Sequence, residues 1–268
     1  MTTIQILSDL HLEAYDTYDD FEIPPRSPYL ALLGDIGCVK KDEEKYLAFI
    51  RRQLANFRVV FLVLGNHEPY YSTWEYSRQI MLRFEKQIRQ ERETHTEIGE
   101  FVFLDKRRYD IDDNGTSLSI LGCTLCSKVP LESIDDVSYG LNDFYHIENW
   151  TVEQHNAEHE RDLEWLNSQV EELEDSGRTV IIFTHHSPTR DERSVEAQHR
   201  QSRKISGFCT DLSGQKCWRS SDVVLWAFGH THYNCDYEDE ETNKRIYTNQ
   251  KGYLGGSKGF DVNRVISL

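Results

Sequence analysis

The stretch 29-YLALLGDIG-37 is an apolar run that stops at Gly34 and presents one carboxylate, Asp35, just beyond it. A strand followed by Gly-Asp ordinarily means only a turn. Four other apolar runs in the chain also end in residue types that ligate metals, and this changes the reading. Residues 3–7 deliver Ser8-Asp9-Leu10-His11, and 59–64 end in Gly65-Asn66-His67-Glu68. Residues 179–183 end in Thr184-His185-His186, and 223–228 end in Gly229-His230-Thr231-His232.

Helical patterns alternate with these runs. Residues 42–57 carry Tyr46, Leu47, Phe49, Ile50 and Leu54 at the spacing of one helix face. Ser72-Thr-Trp-Glu75 has the capping-box pattern before an amphipathic helix reaching about residue 93. Thr151-Val-Glu-Gln154 opens another long helix, which Gly177 closes. Residues 101–104, 107–111 and 117–122 read as shorter strands, the last two joined by the hairpin turn Asp112-Asp-Asn-Gly115. Residues 187–221 show no periodicity, and a loop of that length is functional or mobile. Residues 245–248 and 262–266 read as closing antiparallel strands, and the acidic run 236–241 reads as a solvated turn.

At 268 residues, with 38% hydrophobic and 12% aromatic residues, the chain can build a substantial core. We expect one domain over residues 1–268. A net charge of −16 argues against wrapping a nucleic-acid polymer, which needs a basic face. No run approaches 18 uninterrupted apolar residues, so no membrane partner is expected. The N-terminus enters its first strand without a basic or long apolar leader, and six scattered cysteines suit reduced thiols. Both features lead us to expect a cytoplasmic protein. An anionic substrate must meet locally reversed charge, which bound divalent cations supply.

In extended backbone, side chains at i and i+2 face the same side, so Asp9 with His11, and His230 with His232, can share a centre. In an α/β sheet that centre lies outside the carboxyl ends of the strands. The set mixes oxygen and imidazole nitrogen without thiolate, which suits manganese, iron, zinc or nickel better than magnesium or calcium. Two aspartates, one asparagine and four histidines are too many for one metal. They fill two sites if one carboxylate is shared.

Taken in order, Asp9-x-His11, Gly34-Asp35, Gly65-Asn66-His67-Glu68, His185 and Gly229-His230-Thr-His232 resemble the calcineurin-like metallophosphoesterase superfamily. The resemblance implies an α/β fold, a four-layer α/β/β/α sandwich with two mixed sheets between helices. It assigns Asp9, His11, Asp35 and His232 to one divalent metal ion and Asp35, Asn66, His185 and His230 to the other. It makes His67 the catalytic histidine. Two such cations acidify a shared water whose hydroxide attacks phosphorus in line, and an imidazolium at His67 then protonates the departing alkoxide. Glu68 either orients its loop or raises the basicity of His67, a solvent-facing role being the alternative. Asp35 is followed by Ile36-Gly37-Cys38 rather than the Asp-Arg-Gly extension of Ser/Thr protein phosphatases. It also lacks the metal-binding tyrosine of purple acid phosphatases. The expected activity is hydrolysis of a phosphomonoester or phosphodiester in a small phosphorylated substrate. The alternative is a non-catalytic scaffold of the same fold, although such members tend to lose ligands that this chain keeps.

Several further residues carry a functional alternative beside a structural reading. His186 reads as structural, or as a contact to the metal ligands or to the phosphate. Arg193, Arg200, Arg203 and Lys204 make residues 190–204 locally basic, either as a solvated face or as a grip on a distal anion. Asn142-Asp143, Tyr145 and His146 read as surface loop or as a border of the site. Residues 249–253 read as structural tail or as a return toward the site, and Cys123-x-x-Cys126 reads as structural.

Overall fold

Along Tyr29–Leu33 the side chains divide by alternation, the signature of a strand buried on both faces. Leu30 and Leu32 join one apolar cluster with Tyr46, Phe49 and Ile50. Tyr29, Ala31 and Leu33 join a second with Ile181, Phe183 and Leu225. That division defines the layers of the whole molecule.

The computed structural model describes residues 2–113, 115–253 and 256–268. In chain order the elements are β1 (Thr3–Leu7), β2 (Tyr29–Leu33), α1 (Val39–Leu54), β3 (Val59–Val63), α2 (Trp74–Arg92), β4 (Glu100–Phe103), β5 (Arg107–Asp113) and β6 (Thr116–Gly122). Then follow α3 (Ile134–Ser138), α4 (Asp143–His146), α5 (Val152–Leu173), β7 (Thr179–Phe183), α6 (Lys216–Arg219), β8 (Val223–Ala227), β9 (Asp236–Glu238), β10 (Arg245–Tyr247) and β11 (Val265–Ser267). The first sheet has the order β11-β1-β2-β3-β4 and the second β5-β6-β7-β8-β10-β9. Both sheets are mixed. In the first, β1 to β4 run parallel and β11 antiparallel.

The inner faces of the two sheets pack on each other through the cluster that includes Ile6, Phe61, Val63, Ile120 and Phe183. Helices α1 and α2 cover the outer face of the first sheet. Helices α5 and α6 cover the second through Leu166, Val170, Cys217 and Trp218 against Ile182 and Trp226. This is the four-layer sandwich that the motifs imply. Fully buried side chains such as Phe49 and Phe61 are each worth about 1.5–3 kcal/mol.

Local chemistry explains most boundaries. Helix α5 has its capping box, with Thr151 and Gln154 each accepting the other's backbone N–H. Helix α2 is capped one residue later than expected: Thr73, not Ser72, accepts the N–H of Tyr76. Strand β10 pairs antiparallel with β9, as expected of a closing strand, but also parallel with β8, and Asp236–Glu238 forms an edge strand rather than a solvated turn. Strands β5 and β6 form the expected antiparallel pair. Asn114 of their expected turn lies outside the described residues. All six cysteines are free.

Candidate active site

Strands β1, β2 and β3 are parallel neighbours in one sheet, and β7 and β8 in the other. Each bundle therefore delivers its C-terminal ends to one side. The backbone there is not extended. Asp9, His11, Asp35, His230 and His232 all have φ between 47° and 68°, in the left-handed region. A non-glycine residue pays about 1–2 kcal/mol for that conformation. Convergence thus comes from sharp turns after the strands, not from the alternation of extended backbone. The turns are tied together: Asp9 N–H donates to Gly34 O at 3.0 Å, His11 N–H to Asp35 O at 3.0 Å, and Gly229 N–H to His185 O at 2.9 Å.

Gly34, at φ +86°, is required by this approach. A Cβ there would lie 2.5 Å from Gly65 N and from His185 Nδ1. A Cβ on Gly65 would collide with the carboxylate of Asp35. These two glycines allow the β2 and β3 loops to touch.

Asp35 stands at the centre. Its Oδ2 is 3.9 Å from His11 Nε2 and its Oδ1 3.5 Å from His185 Nε2. On one side, Asp9, His11 and His232 place ligand atoms close together, and on the other Asp35, His185 and His230 do the same. A third overlapping group contains His11, Asp35 and His67. Asn66 joins the second group, its Oδ1 lying 3.0 Å from His185 Nε2. The structure therefore brings all seven expected ligand residues together.

The donor chemistry fits divalent cations. His185 donates from Nδ1 to Leu33 O at 2.8 Å, which fixes the ring so that Nε2 faces the oxygens of Asp35 and Asn66. Nε2 of His11 and of His232 face each other at 2.9 Å, where at most one proton can sit between them. Asp9 and Asp35 are buried, and among the described residues their ion-pair partners are histidines only. Burial disfavours the charge of Asp35, but His185, His67 and His11 outweigh it and hold the carboxyl well below its ordinary range. Inwardly directed oxygen and nitrogen lone pairs of this kind match the family's metals.

The surrounding residues fix these ligands. Asn66 Nδ2 donates to Asp143 Oδ1 at 2.8 Å, and Tyr70 OH donates to the same oxygen at 2.8 Å, so the amide oxygen points at His185. Glu68 is fully buried and does not touch His67. Its carboxylate accepts the N–H groups of Asp35 (3.0 Å), Ile36 (2.8 Å) and Gly65 (2.7 Å) and the hydroxyl of Tyr46 (3.1 Å). It pins the β2 and β3 loops to one another.

The residue that does hold His67 is Glu13. His67 Nδ1 lies 2.8 Å from Glu13 Oε1, and Nε2 lies 3.2 Å from the hydroxyl of Tyr253. Burial opposes a charge on His67, but Asp35 and Glu13 raise its pKa to about 9. Glu13, buried yet flanked by His11 and His67, is held at about 2. Glu13 opens residues 13–28, a polar, acidic and proline-containing segment whose sequence reads as a loop over the surface. Its signal was a carboxylate two residues after His11.

A cavity of about 370 Å³ opens over Asp35, Asn66, His67, His230 and His232. Asn142 and Asp143 line it, with Asp143 buried, and so does Tyr253. Both segments therefore border the site rather than lying apart from it. The four basic residues of 190–204 do not line it. Arg193 pairs with Asp191 at 2.7 Å and lies over the Tyr237 ring, and Arg200 pairs with Glu192 at 2.8 Å. Lys204 donates to Gly140 O at 3.4 Å, and Arg203 is 4.0 Å from Asp136. Arg193, Arg200 and Lys204 are thus held by their own loop and its neighbours, while Arg203 is exposed. His186 also misses the cavity: it is buried behind His230, with ring centroids 4.1 Å apart.

The sequence model of the calcineurin-like phosphoesterases matches residues 2–234. The chain belongs to that family. No curated protein sequence matches it. Among solved structures it is similar to the phosphopantetheinyl hydrolase PptH from Mycobacterium tuberculosis, with a TM-score of 0.68 at 15% identity. That likeness covers 94% of this chain and 90% of the other. A dimetal phosphatase from Danio rerio aligns with a TM-score of 0.49 at 14% identity, over 92% of this chain and 86% of its own. At these identities the first likeness concerns the fold, and it agrees with the two-sheet sandwich. Calcineurin-like phosphoesterases bind divalent metals and act on small phosphorylated substrates, and the His/Asp clusters of this chain can hold such ions.

Proposed function

We propose that this calcineurin-like phosphoesterase is a single-domain, dimetal hydrolase of a phosphomonoester or phosphodiester. The observation that carries the reading is the position of Asp35 between two histidine-rich groups, with His67 beside it on the same cavity. Asp9, His11, Asp35 and His232 would hold one ion, and Asp35, Asn66, His185 and His230 the other. Manganese, iron, zinc and nickel suit these donors. When bound, the cations supply an acidified water and positive charge against the phosphoryl oxygens.

The chain's own residues supply the rest. Glu13 accepts from Nδ1 of His67, which fixes the ring and stabilises its imidazolium. Nε2 then carries the proton that faces the cavity, and gives it to the leaving oxygen of the ester. Tyr253 holds Nε2 by its hydroxyl until substrate takes that place. Asp143 and Tyr70 keep the oxygen of Asn66, not its NH₂, turned toward His185.

The acidic chain favours a small substrate over a nucleic-acid polymer, and six free cysteines suit the reducing cytoplasm. None of the described helices is long and apolar enough to cross a membrane. The test is metal analysis together with hydrolysis of 4-nitrophenyl phosphate and bis(4-nitrophenyl) phosphate by manganese-loaded protein. The proposal expects turnover that a chelator removes and manganese restores. Two bound ions without turnover of either ester would favour a scaffold.

A further inference from the structure

The far wall of the cavity has a chemistry unlike its metal-ligand end. Leu141, Val195, Ile205 and Phe208 line it. The wall forms where residues 129–152 meet the loop 187–221: Leu141 belongs to a small apolar cluster with Val129, Val137 and Val152, and Phe208 packs against that cluster. Phe208 also stacks on His230, with centroids 4.9 Å apart and planes at 25°. The apolar wall is thus continuous with the ligand set, and a group attached to a phosphate there would lie directly on it.

No lysine or arginine lines this cavity among the described residues. Arg193, Arg200 and Lys204 of the loop are turned onto Asp191, Glu192 and backbone carbonyls, and Arg203 is exposed beside Asp136, outside the cavity lining. The charged groups that do face the space beyond the ligand set are Glu196 and Asp143, with His199 at the mouth. Beside the apolar wall, a second phosphate or a carboxylate on the substrate would meet Glu196 and apolar carbon, with no lysine or arginine to pair with.

From this geometry, and resting on the phosphoesterase reading above, we infer the substrate class. The substrate is a phosphoester whose organic group is uncharged and largely apolar, bound against Phe208, Val195, Ile205 and Leu141. Nucleoside diphosphates, sugar bisphosphates and carboxylated phosphoesters are excluded. The volume of about 370 Å³ suits a group of that kind, within the usual range for small-molecule pockets.

The experiment compares three diesters that share one leaving group on the manganese-loaded protein: methyl, n-hexyl and 2-carboxyethyl 4-nitrophenyl phosphate. The hexyl ester is expected to have a kcat/KM at least about tenfold above the methyl ester, and the carboxyethyl ester to fall below both. Phe208→Ala should reduce the hexyl-to-methyl ratio of kcat/KM about tenfold, and an unchanged ratio would count against the apolar wall. Equal rates for hexyl and methyl, or preference for the carboxyethyl ester, would overturn the inference. Calorimetric binding of hexylphosphonate, methylphosphonate and 3-phosphonopropionate to the same protein separates this question from catalysis. If none of these diesters turns over and 4-nitrophenyl phosphate is not hydrolysed either, the hydrolase reading fails. Tightest binding by hexylphosphonate then still supports the apolar pocket, and equal or tighter binding by 3-phosphonopropionate refutes it.

Discussion

Glu13 Oε1 lies 2.8 Å from Nδ1 of His67, and the same oxygen lies 3.4 Å from Nδ1 of His11. One carboxylate on the loop after β1 therefore braces both the expected general acid and one expected metal ligand. His67→Ala should leave both metals bound and slow hydrolysis of alkyl esters by about 10²–10⁴-fold, with a much smaller loss for nitrophenyl esters. Glu13→Gln should show the same dependence on leaving group at lower amplitude. Steady-state rates across a series of leaving groups check both. Equal losses for good and poor leaving groups would count against proton donation from His67.

Asp143 accepts from both Asn66 Nδ2 and Tyr70 OH, and so decides which end of the amide faces His185. Asp143→Ala frees Asn66 to turn. Metal affinity at the Asn66, His185 and His230 side is expected to fall about 10–100-fold, the usual cost of losing a residue that orients a ligand. The Asp9, His11 and His232 side should be spared. Titration of metal-stripped protein with manganese, followed by calorimetry, reads the two affinities separately.

Glu68 accepts three backbone N–H groups and one tyrosine hydroxyl inside the protein. Glu68→Ala leaves these donors without a partner, at about 1–3 kcal/mol for each buried group that water does not reach. A loss of several kcal/mol in stability is expected, measured by urea denaturation. Glu68→Gln keeps one acceptor oxygen and should cost less.

Stability should also carry a signature of His155. Burial pushes its pKa from 6.5 to about 4, against the opposing effect of its 2.8 Å hydrogen bond to Ser127 O. Below pH 6.5 the unfolded chain takes up a proton that the folded protein refuses. The contribution is therefore full above that pH, is lost as pH falls, and levels off near 4, for a total of about 3 kcal/mol. Asp162, raised to about 6 by burial, acts in the opposite sense, losing its contribution as pH rises from about 4 to 6. The difference between wild type and His155→Gln, which keeps a donor for Ser127 O, isolates the histidine. Urea midpoints at pH 5 and pH 7.5 should show a smaller acid loss in the variant. Identical pH dependence would contradict this.

The strands and the residues that gather at their ends were legible in the sequence because both are written locally, whereas the four layers came only with the family resemblance. An unbroken apolar run over 29–33 is what a strand buried on both faces requires, and Gly-Asp, Gly-Asn-His and Gly-His-Thr-His mark where strands stop. What the sequence hides depends on distant packing. Glu13 reaches a histidine 54 positions away, and Asp143 an asparagine 77 positions away. The left-handed turns at Asp9 and His232 break the extended geometry that made their i, i+2 spacing suggestive. Arg193 and Arg200 have the charge to bind an anion, but Asp191 and Glu192 on the same loop take them first.

The proposed sharing of the Asp35 carboxylate by two cation sites rests on its oxygens lying 3.9 Å from His11 Nε2 and 3.5 Å from His185 Nε2. Metal content and affinity of Asp35→Asn, measured beside His11→Ala on folded protein, test it most directly. The account predicts that Asp35→Asn weakens both ions together, whereas His11→Ala weakens mainly one. Two ions retained at normal affinity by Asp35→Asn would contradict it.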